Sequence, residues 1–125
     1  TQKERESAVH LKLSVLSSVV KGKRLVLIDD SIVRGTTMAS LIRMLKDAGA
    51  TEVHVRISSP PFLFPCYYGT DVPSNDQLIA SSHTAAEICA SIGADSLGYM
   101  KLEDLKQMTG DLPLCKACFD SHYPV

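Results

Sequence analysis

The most informative segment of this 125-residue chain reads Arg24-Leu25-Val26-Leu27-Ile28-Asp29-Asp30-Ser31-Ile32-Val33-Arg34-Gly35-Thr36-Thr37. Its apolar run ends in two acids, which is typical of a strand buried on both faces of a parallel sheet. From Thr37 to Ala48 apolar residues recur at helical spacing, and Gly49 follows where a helix needs a left-handed cap. The segment therefore predicts a strand from Arg24 to Asp29, then a loop and a helix.

A second strand is predicted from Glu52 to Ile57, because its apolar residues fall on one face and His54 and Arg56 fall on the other. Two strands joined by a helix form a βαβ unit, in which the strands lie parallel. Ligands of such open sheets bind at the carboxyl ends of the strands, where Asp29 and Asp30 lie. The predicted fold class is α/β, with a parallel sheet flanked by helices.

The remaining elements are predicted more coarsely. A Pro- and aromatic-rich passage at residues 58–69 predicts an ordered loop. The first 20 residues fit a strand and a helix equally, and both interpretations stay open. Further helices are predicted near Asn75 to Ala80, Thr84 to Ile92 and Leu102 to Met108. One short strand is predicted near Asp95 to Met100.

The charge and the apolar content of the chain argue against nucleic-acid-binding and membrane-spanning proteins. The formal net charge of -1 offers no basic field for nucleic acid, so we expect no nucleic-acid partner. No apolar run approaches the roughly 20 residues that span a bilayer, and no apolar leader with a cleavage site opens the chain. We therefore expect a cytoplasmic protein without a membrane partner. The chain starts at Thr1 without an initiator Met, so we also expect a piece of a longer protein.

The loop from Ser31 to Thr37 has the properties of an anion site. Successive backbone N–H groups that lead into a helix converge on a phosphate, and the helix dipole favours its negative charge. Gly35 allows the backbone to approach the oxygens, and Thr36 or Thr37 would cap the helix. Arg34 faces solvent, the phosphate or a subunit partner, and the sequence leaves these three open.

Two adjacent carboxylates repel an anion bound beside them unless a hydrogen-bond donor or a cation offsets their negative charge. Ribose hydroxyls, a magnesium ion or both would serve for Asp29 and Asp30. The alternative is that the acids merely end a strand and that the Gly-Thr-Thr run merely begins a helix. The whole run is more specific than a lone glycine motif and predicts a site for a sugar 5-phosphate that also carries a pyrophosphate.

The segment 26–37 resembles the phosphoribosylpyrophosphate motif of the amidophosphoribosyltransferases, also called glutamine phosphoribosylpyrophosphate amidotransferases. Residues 9–13, 48–57, 58–69 and 78–83 resemble the same family, so the resemblance covers nearly the whole chain. It implies a type I phosphoribosyltransferase-like parallel sheet flanked by helices, present here as a partial domain. Residues 1–110 would be the carboxyl-terminal part of that domain, and residues 111–125 a Cys-containing tail.

The resemblance implies a transferase that uses glutamine to convert phosphoribosylpyrophosphate to 5-phosphoribosylamine, the first step of de novo purine biosynthesis. Asp29 and Asp30 would also bind Mg2+, and Lys12 is a candidate nucleotide contact, although a solvated lysine is an equal alternative. No catalytic residue is assigned. By position, the residues expected to bind phosphoribosylpyrophosphate are Asp29, Asp30, Ser31, Ile32, Val33, Arg34, Gly35, Thr36 and Thr37.

The resemblance also implies partners and missing parts. We expect purine nucleotides to inhibit the parent enzyme and the protein to be a homo-oligomer. The family's amino-terminal glutaminase domain and the earlier half of its transferase domain have no counterpart in this sequence, so we expect this piece alone to be inactive. Two alternatives remain: another phosphoribosyltransferase, which would need a base-recognition segment, and a non-catalytic phosphoribosylpyrophosphate-binding regulator, which would need a basic surface.

The cysteines raise a separate question. Cys115 and Cys118 form a C-x2-C pair, and Cys66 lies in a Pro-flanked turn; their spacing does not separate zinc from iron-sulfur or from ordinary thiols. One branch of the resembled family carries a [4Fe-4S] cluster on four Cys, and these three match ligand positions, with the fourth upstream of Thr1. Cys89 is expected to be a small buried thiol. Among the histidines, His83 is expected to cap a helix or face solvent.

Overall fold

The computed structural model describes residues 16–72 and 74–124. In these ranges three strands form one parallel sheet in the order β1-β2-β3, namely β1 (Arg24–Asp29), β2 (Glu52–Ile57) and β3 (Ser96–Tyr99). Residues 16–20 are helical, and a 3-10 turn spans Asn75–Gln77. The helices are α1 (Thr36–Asp47), α2 (Ile79–Ser82), α3 (Ala85–Ile92), α4 (Leu102–Thr109) and α5 (Ala117–Asp120).

The predicted βαβ unit is confirmed, with both of its strands at the expected bounds. In β2 the apolar side chains face α1 and α3, while His54 and Arg56 lie on the opposite face of the sheet. His54 is held there by Ser96 Oγ at 2.8 Å and Glu52 Oε2 at 2.7 Å. The resulting core buries the following side chains: Met38, Ile42, Leu45, Val53, Val55, Ile57, Ile88 and Ile92.

The prediction that β1 is buried on both faces is wrong for the described residues. Leu25 and Leu27 pack toward the core, but Val26 and Ile28 are 65% and 73% exposed. The reason is topological, because in the described sheet β1 lies at the edge and helices cover the face of β2 that carries its valines. A continuous apolar run in the sequence thus does not show whether one face of a strand is buried or both are.

Helix boundaries agree with the sequence in most places and fail in one. Gly49 has the expected positive φ, at 103°, one residue after the C-cap of α1. The helix predicted from Asn75 to Ala80 is instead broken, since Leu78 is extended between the 3-10 turn and α2. Leu78 is 1% exposed, and this extended backbone inserts its side chain beside Phe62. Tertiary packing has therefore overridden local helix propensity.

Helix α3 begins at Ala85, one residue after its predicted start at Thr84. Thr84 is its N-cap, and a capping box joins the Thr84 side chain to the Glu87 amide while Glu87 accepts from the Thr84 amide. His83 is exposed and is the C-cap of α2, where its backbone amide donates to the Ile79 carbonyl at 3.1 Å, so both of its expected roles apply. The short strand and the helix after it lie within one residue of their predicted bounds.

The carboxyl-terminal segment packs on the aromatic loop. The Cys118 carbonyl accepts the amides of Leu63 and Phe64 at 2.9 and 3.1 Å, and the Phe119 ring lies 5.2 Å from that of Phe62. Tyr123 donates its hydroxyl hydrogen to the carbonyl of Pro65 at 2.8 Å. These contacts join the two Cys-bearing segments into a second small core.

Some predictions fall outside the described residues. Lys12 and His10 precede residue 16, so the nucleotide contact assigned to Lys12 stays a prediction. The division at residue 110 likewise stays a prediction. No helix in the described ranges is both long and apolar enough to cross a membrane.

Asp95 joins three elements of the main core. Its carboxylate accepts the Val53 amide of β2 at 2.7 Å and lies 3.2 Å from Lys46 Nζ of α1. Lys46 also donates to the carbonyl of Gly93 at 2.9 Å. The Val53 amide, and then Lys46, hold the pKa of Asp95 below its usual range.

Because the folded-state pKa of Asp95 is lowered, its stabilisation is present above the unfolded pKa and is lost as the pH falls through the folded pKa. We expect Asp95→Asn to lower the free energy of unfolding at neutral pH, and the difference from wild type to shrink in acid below the ordinary value of 3.8. Urea denaturation at a series of pH values measures this. Asp47→Asn, at the exposed end of α1, is the control, and a difference that does not vary with pH would contradict the assignment.

Candidate active site

The loop between β1 and α1 leads into a helix whose amino-terminal end is not capped by a side chain. Gly35 is the N-cap of α1 at φ 83° and ψ -13°, and no side chain caps the helix. The expectation that Thr36 or Thr37 is the cap is therefore wrong, because the helix already begins at Thr36. The first amides of an α-helix have no acceptor within the helix, so here they remain open to an anion.

A cavity of about 480 Å3 opens beside these amides at the carboxyl end of β1. Both the strand end and the helix start reach it, as expected for a ligand site in a parallel sheet. Its lining residues are Asp29, Ser31, Ile32, Val33, Arg34, Gly35, Thr36, Thr37, Met38 and Asp71. The structure thus brings together eight of the nine residues predicted to bind the sugar phosphate.

Asp30 is the ninth, and it does not line the cavity. Its amide donates to Asp29 Oδ1 at 2.9 Å, and its carboxylate accepts from Ser31 Oγ at 2.6 Å. The adjacent acids therefore differ, since Asp29 borders the cavity and Asp30 lies beside it. One or two carboxylates suit Mg2+, which takes its other ligands from phosphate oxygens and water.

Two apolar loop residues serve the site through their backbone. Ile32 is 3% exposed and belongs to the main core, while Val33 packs against the second core. Their side chains thus hold the loop between the two cores. The Val33 carbonyl also accepts the Ile79 amide at 2.9 Å, which fixes the loop to α2.

Arg34 is exposed and lines the cavity. Its guanidinium donates to Gln77 Oε1 in the 3-10 turn, and Arg34 also borders a second cavity with His83. Of its three expected surroundings, solvent and the predicted phosphate site both fit this position.

Sequence reasoning missed two lining residues, Met38, which directly follows the predicted loop, and Asp71. Asp71 comes from the turn after the aromatic loop, 42 positions beyond Asp29, and no local pattern relates the two. Its neighbour Val72 is 1% exposed in the second core, which brings the turn to the cavity. An isolated acid between turn residues gives no periodic or motif signal, so only tertiary structure reveals it.

The three candidate cluster cysteines lie in one region. The amides of Tyr68, Thr70 and Gly69 donate to the Cys66 sulfur and lower the pKa of that thiol to about 7. Burial raises the pKa of Cys118, and the charges of Cys66 and Cys115 raise it further. Cys118 therefore lies close enough to Cys66 and Cys115 for their charges to interact.

The fit of a metal to these thiols is partial. Amide hydrogen bonds to a sulfur are typical of cluster ligands. However, no group of three His, Cys, Asp or Glu side chains in residues 16–72 and 74–124 is arranged to hold a metal ion. Cys89 lies apart from this region, half-buried in α3, where its thiol donates to the Ala94 carbonyl at 3.3 Å.

Comparisons with known proteins agree with this site. The family described as Phosphoribosyl transferase domain matches residues 1–58. An amidophosphoribosyltransferase of a Synechocystis species is 50% identical over 100% of the chain, and that of Methanocaldococcus jannaschii is 52% identical over 99%. The chain is therefore similar over its whole length to amidophosphoribosyltransferases.

Solved amidophosphoribosyltransferases share the fold of the chain. The glutamine phosphoribosylpyrophosphate amidotransferase of Bacillus subtilis complexed with ADP and GMP superposes with a TM-score of 0.79 and 51% identity, over 86% of this chain and 25% of that one. The chain spans 26% of the length of the Synechocystis and Methanocaldococcus relatives. The predicted phosphoribosyltransferase-like fold is therefore confirmed for the part that the chain spans.

Gly35 is the residue on which the geometry of the loop between β1 and α1 depends. A Cβ there would lie 3.3 Å from Ile79 Cδ1, at a φ of 83° that side chains rarely adopt. We expect Gly35→Ala to lower the free energy of unfolding by about 1–2 kcal/mol, the cost of left-handed backbone. Chemical denaturation measures it. Gly69→Ala is the control, since nothing lies within 4 Å of its Cβ position; equal effects of the two substitutions would argue against a strained Gly35.

Proposed function

We propose that the chain is the carboxyl-terminal part of the transferase domain of a glutamine-dependent amidophosphoribosyltransferase, and that its cavity binds phosphoribosylpyrophosphate. The observation that carries this is the uncapped amide end of α1, which opens into the same cavity as Asp29. Free amides favour a phosphate dianion, and a carboxylate at the strand end favours the sugar hydroxyls next to it.

In this proposal different residues bind different parts of the ligand. The amides of the first turn of α1, with the hydroxyls of Thr36 and Thr37, bind the 5-phosphate, while the Ser31 hydroxyl donates its hydrogen to Asp30. Asp29 accepts hydrogen bonds from ribose hydroxyls, and Asp30 supports it from beside the cavity through the bond from its amide. Mg2+, when bound near these acids, supplies positive charge to the pyrophosphate.

The reaction proposed for the full-length protein replaces pyrophosphate by ammonia at the anomeric carbon of the ribose. It gives 5-phosphoribosylamine and opens de novo purine biosynthesis. Positive charge develops on the sugar as pyrophosphate leaves, and a nearby carboxylate such as Asp29 stabilises that charge without reorganisation. The protein therefore acts mainly by placing charge.

Identity near 50% over the whole chain favours this function over the two alternatives. Another phosphoribosyltransferase and a non-catalytic regulator would both use the same phosphate loop, but neither accounts for similarity that extends through the aromatic loop and the tail. The proposal includes purine nucleotides as inhibitors, which agrees with the ADP and GMP complex of the Bacillus subtilis relative. It also includes a glutaminase domain, a homo-oligomeric state and a cytoplasmic location.

The binding proposal is tested by calorimetric titration of the full-length protein with phosphoribosylpyrophosphate, with and without Mg2+. We expect saturable binding that Asp29→Asn/Asp30→Asn weakens about tenfold or more, equivalent to about 1.4 kcal/mol. Asp111→Asn, an exposed acid that does not line the cavity, is the control and should bind as wild type. A folded wild type that binds no phosphoribosylpyrophosphate would disprove the assignment of the cavity.

For the cysteines, the proposal is a [4Fe-4S] cluster on Cys66, Cys115 and Cys118 with a fourth Cys beyond the chain. The amides around Cys66 and the electrostatic proximity of the three sulfurs support it. Since the described thiols do not form a metal group by themselves, their closure around iron is part of the proposal. The cluster would link the aromatic loop to the tail.

Iron and sulfide analysis of anaerobically purified full-length protein tests the cluster. We expect both elements to be bound in wild type and in Cys89→Ser, and both to be lost in Cys66→Ser, because Cys66 would supply one of four ligands. Equal retention of iron and sulfide in the two variants, or bound zinc in place of iron, would refute the cluster proposal.

A further inference from the structure

Asp71 differs from the rest of the cavity lining. Among the described residues it alone comes from outside the continuous segment 29–38. It is exposed, and its carboxylate has no hydrogen bond or ion pair with the residues that the structure describes. A carboxylate without a protein partner at the wall of a ligand cavity is free to accept from the ligand.

The neighbours of Asp71 fix its position. Val72 is buried in the second core, and its amide donates to the Thr70 carbonyl at 2.8 Å. Its carbonyl accepts the Cys66 amide at 3.1 Å, which closes the turn. Asp71 is therefore placed at the cavity by its backbone, and its own side chain remains available.

The charge of the ligand determines what Asp71 can contact. A carboxylate repels the 5-phosphate and the pyrophosphate, so a favourable contact needs a hydrogen-bond donor or a cation. In the proposed arrangement Mg2+ lies near Asp29 and Asp30. In the proposed ligand arrangement the 5-phosphate lies at α1 and the ribose hydroxyls at Asp29. The remaining donor in the reaction is the nitrogen nucleophile.

We propose that Asp71 accepts a hydrogen bond from the ammonia that attacks the anomeric carbon. This role rests on the proposed phosphoribosyl transfer. The nitrogen lone pair forms the new C–N bond, the C–O bond to pyrophosphate breaks with its electrons going to that oxygen, and the nitrogen releases one proton to solvent. The Asp71 carboxylate orients the lone pair and stabilises the positive charge that develops on nitrogen.

Steady-state kinetics of the full-length protein, with an ammonium salt as nitrogen source at constant pH, test this role. We expect Asp71→Ala to lower kcat/KM for ammonia about 10- to 100-fold, as for a lost hydrogen bond to a charged group. Asp71→Asn keeps an oxygen acceptor without the charge and should lie between wild type and Asp71→Ala. The affinity for phosphoribosylpyrophosphate, measured by calorimetry, should stay within about twofold of wild type.

Asp111→Asn is the matched control for the loss of an exposed acid and should leave both measurements unchanged. Unaltered ammonia kinetics in Asp71→Ala would overturn the role of Asp71, and so would an equal loss of phosphoribosylpyrophosphate affinity, which would place Asp71 on the sugar. Wild-type turnover in those experiments would leave the proposed function standing. A wild type that neither binds phosphoribosylpyrophosphate nor forms phosphoribosylamine would overturn the function itself.

Discussion

The left-handed backbone at Gly35 is the constraint on which the candidate site depends. It lets the chain leave β1, pass along the cavity and enter α1 without a capping side chain, so the first amides of the helix stay free. A Ser, Thr or Asp cap would satisfy one of those amides internally and compete with an anion for it. The missing cap lowers the local stability of the helix but leaves an anion site. Ile79 and Ile92 lie 3.3 and 3.4 Å from the position that a Cβ of residue 35 would take, which disfavours a larger residue there.

Two separate cores hold this loop. Ile32 lies in the core beneath the sheet, and the next residue, Val33, packs against the small core formed by the aromatic loop and the tail. Since successive residues point into different cores, any relative shift of the two cores would move the amides between them. The same small core includes Cys66, Cys118 and Val72, so the Cys-bearing turn and the substrate cavity share structural support. A cluster bound there would stabilise the position of Asp71 as well.

Local sequence pattern predicted the parts of this fold that depend on period and on turn chemistry. The bounds of β1 and β2, the amphipathic α1 and the Gly49 turn follow from side-chain alternation and from glycine's freedom at positive φ. The exposed face of β1, the break at Leu78 and the place of Asp71 depend on which elements meet in space. Asp30 illustrates the same limit within the motif, because sequence treats it as equal to Asp29 while one hydrogen bond from Ser31 separates their surroundings.

Charge balance explains why such a site can combine phosphate binding with acidic residues. Asp29, Asp30 and Asp71 together would oppose the binding of the proposed ligand, which carries a 5-phosphate and a pyrophosphate, and free helix amides offset only part of that repulsion. In the proposed complex each acid has a donor as its partner: ribose hydroxyls for Asp29, the Ser31 hydroxyl for Asp30, and the attacking nitrogen for Asp71. In the proposed reaction positive charge forms on the sugar and on that nitrogen, and the same acids would then favour the transition state over the ground state. Such a difference between the two states would lower the barrier.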